Sequence, residues 1–461
     1  MKNIDQMKLF MEPESIALIG VSRSSEGGFF NPLGHLLNYG YKGKIYPVNP
    51  SAEKIQGIKA YPSIKKLPDD VDLTVILTPR NKVPGVVKEC VDKGLKSLIV
   101  VAQGFADSDE EGKAMQAEIV QTARQKGARI IGPNTFGVTN AFINMCTALP
   151  RFKLEKNPIG IISQTGIAFL GTSKFYYGKV IDIGDTCDVD VADSLEYFED
   201  DPQIKVIIIQ VEAINNGQKF VQIAARITKK KPVLALKAGT SEAGAKAAQS
   251  HTGSITGTDQ VYESVFKQSG VIRIKDLEEM EDLAHAFAWL PPMKGNGVAV
   301  LSWSGATGIL AVDACETHGL AVPRLSNSAI KQISKLSPPD WLPIDNPVDL
   351  WACVGLSGFD IKNFKKGFKL ILQTLLDEQK VDGVVIIIPD FLQLFFSEHW
   401  DISTVILELS RVYTDKPVVF NFIGEVGELA VKLKNDKKAG VFPSCERSVR
   451  ALARLYEYYC K

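Results

Sequence analysis

The chain has 461 residues, too many for one hydrophobic core, and its pattern fits three domains. With 45% hydrophobic and 23% charged residues it is globular rather than disordered or fibrous, and 53 basic residues balance 53 acidic ones, so no overall field draws in nucleic acid or an anionic membrane. The seven cysteines show no metal-binding spacing, Met1 to Glu14 lacks an apolar signal core, and no apolar run is long enough to span a bilayer, so reduced thiols and a cytoplasmic location are expected.

Ser15-Ile16-Ala17-Leu18-Ile19-Gly20 reads as a buried first strand feeding a tight turn. The turn resembles the entry to a dinucleotide-binding unit, but Ser22 stands where the second glycine of G-x-G-x-x-G belongs. The second strand, Lys44 to Val48, ends in Asn49-Pro50 instead of the acid that would hold the ribose of NAD. A nicotinamide oxidoreductase is therefore disfavoured, and another adenine nucleotide is expected. Further strands at Leu73 to Leu77, Ser97 to Ala102 and Ala128 to Ile131 alternate with helical stretches near Lys82 to Lys93 and Glu110 to Lys126, which predicts a parallel, doubly wound sheet. Thr78-Pro79-Arg80, Gln103-Gly104-Phe105 and Gly132-Pro133-Asn134 fall at strand ends, either as the ligand-binding edge of such a sheet or as the turns it requires.

In the middle of the chain, Gly160-Ile161-Ile162 runs into Ser163-Gln164-Thr165-Gly166, which places hydroxyls and glycine at a predicted helix N-terminus suited to an anion. Lys205 to Val211 is a largely apolar strand with Glu212 at its end. That carboxylate is either a solvated strand end or a partner for the ring of His251 that fixes its tautomer. After a strand at Pro232 to Leu236, the stretch Gly239 to Ser254 reads as a short helix running into a loop, Ser250-His251-Thr252-Gly253-Ser254. Of five histidines, only His251 has this small, hydroxyl-rich setting, where a phosphate could be carried on the imidazole. A tight helix-to-loop junction is the alternative.

Leu290 to Gly297 is the clearest linker, and after it Val298 to Ser302 leads through Trp303-Ser304-Gly305-Ala306-Thr307-Gly308 into a helix from Ile309 to Glu316. This echoes Ile159 to Phe169, and two such helices could face one phosphate from opposite sides. Strands at Val381 to Pro389 and Pro417 to Asn421, with helices near Lys362 to Asp377 and Arg447 to Tyr459, predict another α/β layer.

At Ser250 to Ser254, Ser163 to Gly166 and Pro47-Val48-Asn49-Pro50 the sequence resembles the alpha subunits of nucleoside-diphosphate-forming (ADP-forming) acyl-CoA synthetases, acetyl-CoA synthetases of the succinyl-CoA synthetase superfamily. The resemblance spans essentially the whole chain, with Lys237 to Val271 its most specific part. It implies an α/β architecture: a Rossmann-like CoA-binding domain (1–130) followed by two flavodoxin-like doubly wound ligase domains (131–290, with the phosphohistidine, and 291–461). It implies that His251 carries the phosphoryl group and Glu212 orients it. Phosphate would be held by Ser163, Gln164, Thr165 and Gly166 and by Ser304, Gly305 and Ala306. CoA, a substrate, would be held by Gly20, Ser22, Arg23, Pro47, Asn49, Thr78, Pro79 and Gln103. No nucleotide-triphosphate loop or metal-binding carboxylate cluster is apparent, so ADP or ATP and Mg2+ are expected mainly on an ATP-grasp beta subunit. The protein is then one part of a hetero-oligomer acting on a small carboxylic acid or its acyl-CoA and phosphate.

The sequence departs from this family at Thr165, where serine is usual, at Thr135, where cysteine is usual, and at Asp185, where asparagine is usual. An ionised Asp185 would repel a phosphate, and bulky Trp303 stands where smaller polar residues are common. The competing reading is a CoA or acyl-CoA binding module without turnover.

Overall fold

In a computed structural model of the protein the described residues are 2–22, 31–148, 152–169, 172, 175–252, 258–355, 364–389, 401–424 and 427–460. They form two compact units, Met1–Met280 and Glu281–Lys461.

The first unit contains two main sheets. In one, β1 (Ser15–Ile19), β2 (Lys44–Val48), β3 (Leu73–Ile76), β4 (Ser97–Val100) and β5 (Arg129–Ile131) run parallel in the order β2-β1-β3-β4-β5. Their continuous apolar character follows from burial on both faces. Ile16 and Leu18 enter one hydrophobic cluster with Met7 and Phe10 of α1 (Asn3–Met11). Ala17 and Ile19 point the other way, into a cluster with Val87 and Cys90 of α2 (Val83–Lys93) and Ile119 of α3 (Glu110–Gln125).

The other sheet comprises β6 (Val138–Asn140), β7 (Met145–Cys146), β8 (Ile159–Ser163), β9 (Lys179–Asp182), β10 (Val206–Val211), β11 (Val233–Lys237) and β12 (Ile272–Ile274). Its order is β12-β11-β10-β8-β9-β6-β7, parallel from β12 to β9, with β6 and β7 added antiparallel. Helices α4 (Val191–Glu199), α5 (Gly217–Ile227), α6 (Glu242–Thr252) and α7 (Asp259–Ser269) follow the strands. In α5, Phe220, Ile223, Ala224 and Ile227 fall on one buried face, the spacing of an amphipathic helix.

A helix α8 (Leu277–Trp289) spans the division. The second unit is built on β13 (Val298–Ser302), β14 (Val348–Asp349), β15 (Gly383–Pro389), β16 (Val418–Ile423) and β17 (Gly440–Phe442), all parallel, in the order β14-β13-β15-β16-β17. Its core joins Leu301, Ile386 and Phe420 to Phe368 and Leu372 of a long helix, Phe364–Asp377. Counted from β1, β8 and β13, all three sheets repeat one strand order, two-one-three-four-five, so each has a switch point between its first and third strands. Ligands of open α/β sheets bind at the carboxyl side of that point. Among the described residues no helix is long and apolar enough to cross a membrane.

The two sheets of the first unit are joined by charge. Asp188, after β9, has a fully buried side chain that pairs with Arg129 of β5 at 2.9 Å and Arg124 of α3 at 2.8 Å, and it accepts the N–H of Ile130. Arg129 also pairs with Asp193 of α4, which Lys219 bridges at 2.7 Å. Removing the shared acid strands a half-buried guanidinium, so Asp188→Ala should destabilise this unit by about 3–5 kcal/mol in urea unfolding, and Asp188→Asn by less.

Candidate functional site

Where the carboxyl edges of the two sheets of the first unit meet lies a cavity of about 340 Å³. One wall comes from the loops after β4 and β5, through Val101, Gln103, Asp107, Asn134, Thr135 and Phe136. The other comes from the ends of β8 and β9, through Gln164, Thr165, Gly166 and Asp182. Gln103, an expected CoA contact, therefore shares a cavity with three of the expected phosphate contacts.

The loop after β8 is held from beneath by Gln210, a polar residue inside the apolar strand β10. Its Oε1 accepts from Ser163 Oγ at 3.0 Å, from Gln164 N–H at 3.1 Å and from Thr165 Oγ1 at 3.3 Å. The side chain of Gln164 is buried and spent on the neighbouring loop: Nε2 donates to Ala213 O at 2.9 Å, and Oε1 accepts the N–H groups of Glu212 and Ala213. Gln164 thus fastens the two loops of the switch point together and places Glu212, itself buried at the end of β10. At the end of β11 Lys237 is in register with Val211, and its amine is lowered by burial, against the opposing pull of Asp259 and Glu212.

Acidic groups gather on this edge. Asp182 is buried, accepts from Phe136 N–H at 2.8 Å and Gly184 N–H at 3.2 Å, and is pushed up to about 7 by burial, which outweighs those bonds. Asp185 is pushed up to about 8, first by burial and then by the charge of Asp107, with Asp182 and Glu212 adding to it and a hydrogen bond from Asn134 opposing. Among the described residues no group of three or more His, Cys, Asp or Glu side chains stands so as to hold a metal ion.

At the first sheet's switch point Gly20, Asn49 and Thr78 come together. Gly20 has φ +83°, and a Cβ there would lie 2.9 Å from Thr78 Cγ2, so only glycine lets the loops after β1 and β3 approach so closely. Asn49 donates to Val21 O at 3.0 Å and accepts from Ser51 N–H, tying the loop after β2 to the loop after β1. Pro47 lies in β2, Ser22 two residues beyond Gly20, and Pro79 directly after Thr78. Arg23 lies outside the described residues, as do Gly253 and Ser254.

Three local readings change. The backbone of His251 belongs to the last turn of α6 rather than to a loop, as the Ala-rich run Ala243 to Gln249 carries the helix into it without a proline. Ser163 to Gly166 leads into a single 3-10 turn, Gly166–Phe169, instead of an α-helix. In the second unit the Ser/Gly turn is itself the first turn of helix Gly305–Thr317, with Ser304 as its N-cap accepting from Thr307 N–H. Gly305 and Ala306 open that helix, and a Cβ on Gly305 would lie 3.5 Å from the Asp349 carboxylate at the end of β14. The echo between the units extends to atoms: Ser163 Oγ donates to Thr165 O, and Ser302 Oγ donates to Ser304 O.

Sequence reasoning passed over Gln210, Asp182 and Asp107. Gln210 carried a signal, as a polar residue in an otherwise apolar strand, whereas Asp182, in a short strand with Lys179, and Asp107 in a polar loop carried none.

A CoA binding domain family matches residues 14–141, and a succinyl-CoA ligase like flavodoxin domain family matches residues 156–287. The chain is 36% identical over 458 residues to the ADP-forming acetate-CoA ligase II subunit alpha of Pyrococcus furiosus, covering 97% of this chain and 96% of that one. Its identity to that organism's ADP-forming acetate-CoA ligase I subunit alpha is 34%, over 98% of this chain and 97% of that one. The ADP-forming acetate-CoA ligase II of Archaeoglobus fulgidus is 36% identical over 394 residues, 83% of this chain but 57% of that longer protein. Among solved structures, the dinucleotide forming acetyl-coenzyme A synthetase 1 of Ca. Korarchaeum cryptofilum, in complex with phosphate and ADP, superposes with a TM-score of 0.86 at 30% identity, covering 99% of this chain and 97% of that one. Fold and site thus define a CoA-dependent ligase. The chain belongs to the family of alpha subunits of ADP-forming acyl-CoA ligases, and CoA is its substrate.

Gln164→Ala removes three hydrogen bonds that join two buried loops and should cost about 2–4 kcal/mol in thermal or urea unfolding. Asp182 supplies a pH test. A carboxyl whose folded pKa is raised stabilises the fold fully below the unfolded value of 3.8, and that stability is lost as pH rises towards about 7. The melting temperature of Asp182→Asn minus that of the native protein should therefore rise between about pH 4 and pH 7 and level off above, whatever its absolute offset.

Proposed function

We propose that this chain is the CoA-binding, phosphohistidine-bearing subunit of a ligase that interconverts acyl-CoA, ADP and phosphate with carboxylic acid, CoA and ATP. In the ATP-forming direction a phosphate oxygen attacks the thioester carbonyl and the CoA thiolate leaves, which yields an acyl phosphate. A nitrogen of His251 then takes the phosphoryl group as the carboxylate departs, and a β-phosphate oxygen of ADP removes it from the imidazole to give ATP. Glu212 orients the imidazole and favours its reactive tautomer. The loop from Ser163 to Gly166 takes the phosphoryl group, and Ser304, Gly305 and Ala306, at the start of helix Gly305–Thr317, are a candidate phosphate site of the second unit. Gly20, Ser22, Arg23, Pro47, Asn49, Thr78, Pro79 and Gln103 take CoA.

The observation that carries this reading is the cavity that puts Gln103 beside Gln164, Thr165 and Gly166, so that a thioester held by the first sheet's loops and a phosphate held by the second's would meet. The name of the solved relative, which is in complex with phosphate and ADP, supports the same chemistry. ADP and Mg2+ belong in this reading to an ATP-grasp beta subunit. The relatives named subunit alpha, and the greater length of the Archaeoglobus relative, fit a partner that is separate in some proteins and fused in others. We assign the three-part division at 1–130, 131–290 and 291–461 on the same basis.

Incubation of the assembled protein with acetyl-CoA and radiolabelled phosphate should place acid-labile label on the native chain and none on His251→Ala, whose affinity for CoA should be unchanged in calorimetry. Label persisting in the variant, or absent from the native complex, would sink the phosphohistidine route.

A further inference from the structure

Asp185 sits in the loop after β9, and its backbone has little freedom. Its N–H donates to Pro133 O at 3.0 Å. Gly184 before it has φ +53°, and a Cβ there would lie 2.2 Å from the same oxygen, so the loop is pressed against the Pro133-Asn134 bend. Asp185 Oδ1 accepts from Asn134 Nδ2 at 3.1 Å, while Oδ2 is buried without a hydrogen-bond partner. The titratable groups facing it are Asp107 from the loop after β4, Asp182 from β9, Glu212 from the end of β10 and Cys187 from its own loop. The strongest charges acting on it are all carboxylates. An ionised carboxylate here would be both desolvated and surrounded by charge of its own sign.

We propose that Asp185 works as a neutral acid and is a positioning residue for the anion in the neighbouring cavity: uncharged, it holds Asn134 in the cavity wall, and ionised, it adds negative charge beside Asp182 and weakens phosphate binding. This rests on the reading that phosphate occupies the cavity. Burial and the nearby carboxylates set the ionisation at about 8, so the neutral form prevails at neutral pH and is lost just above it.

The test uses the full chain assembled with its ATP-grasp partner, with acetyl-CoA, ADP and inorganic phosphate, and compares native protein, Asp185→Asn and Asp185→Ala. The KM for phosphate of the native complex relative to Asp185→Asn should be near one at about pH 6.5 and rise about tenfold by about pH 9, as the neutral fraction falls, with kcat little changed. Asp185→Ala should bind phosphate weakly at every pH, because Asn134 has lost its partner. The melting temperature of Asp185→Asn minus native should also rise across this range, a readout that needs no turnover. A flat temperature difference would overturn the inference, as would a flat KM ratio in a complex that turns over. A rising temperature difference in a native complex that never consumes phosphate would instead overturn the phosphate reading of the cavity, and the positioning role with it.

Discussion

The site depends on the way the chain passing from β5 to β6 is bound to the loop after β9. Asp182 accepts the Phe136 N–H at 2.8 Å, Thr135 Oγ1 donates to Asp182 O, and Cys187 N–H donates to Gly132 O at 3.2 Å. A few residues further on, Asp188 closes the same junction through Arg124 and Arg129. Buried acceptors of this kind leave no low-energy alternative, because a carboxylate or carbonyl separated from its donors inside a protein is costly. The two carboxyl edges are thereby locked against each other, and the cavity between them follows from that register.

Repetition of one strand order explains why the site residues cluster as they do. In each sheet the first and third strands are neighbours, and the loops that follow them meet at the carboxyl edge where the strand order reverses. Gly20 and Thr78 occupy it in the first sheet, Gln164 and Glu212 in the second, and Ser304 stands at the start of the equivalent loop in the third. The second and third sheets also share a buried serine closing the turn after the first strand. The first sheet uses this edge for close backbone approach, the second for a glutamine brace beneath an acid. One scaffold thus presents differently equipped loops without any change in topology.

The concentration of acid at the cavity gives this edge its electrostatic character. Asp182 and Asp185 are both raised, chiefly by burial, so that near neutral pH the wall carries less charge than its composition suggests. The phosphate proposed for this cavity would need such a wall, since fully ionised carboxylates would repel it. The conflict that Asp185 poses as a sequence feature is resolved by its surroundings.

Much of this protein was legible from the sequence alone. Apolar runs ending in Gly, Ser or Asn determined the strands and their ligand-facing ends, because strand burial and turn chemistry are local demands. The His251 stretch, Ser163 to Gly166 and Pro47 to Pro50, being local motifs, pointed to the family. The tertiary structure alone decided which loops meet. Gln103 and Gln164 are far apart in sequence, and only the junction at Asp182 and Asp188 brings them to one cavity. It also decided the secondary structure of the short turns, since Gly166–Phe169 forms a 3-10 turn where the sequence pattern suggested an α-helix. The protonation of Asp185 belongs to the same class: a side chain's pKa is a property of what surrounds it, and here the surroundings come from loops widely separated along the chain.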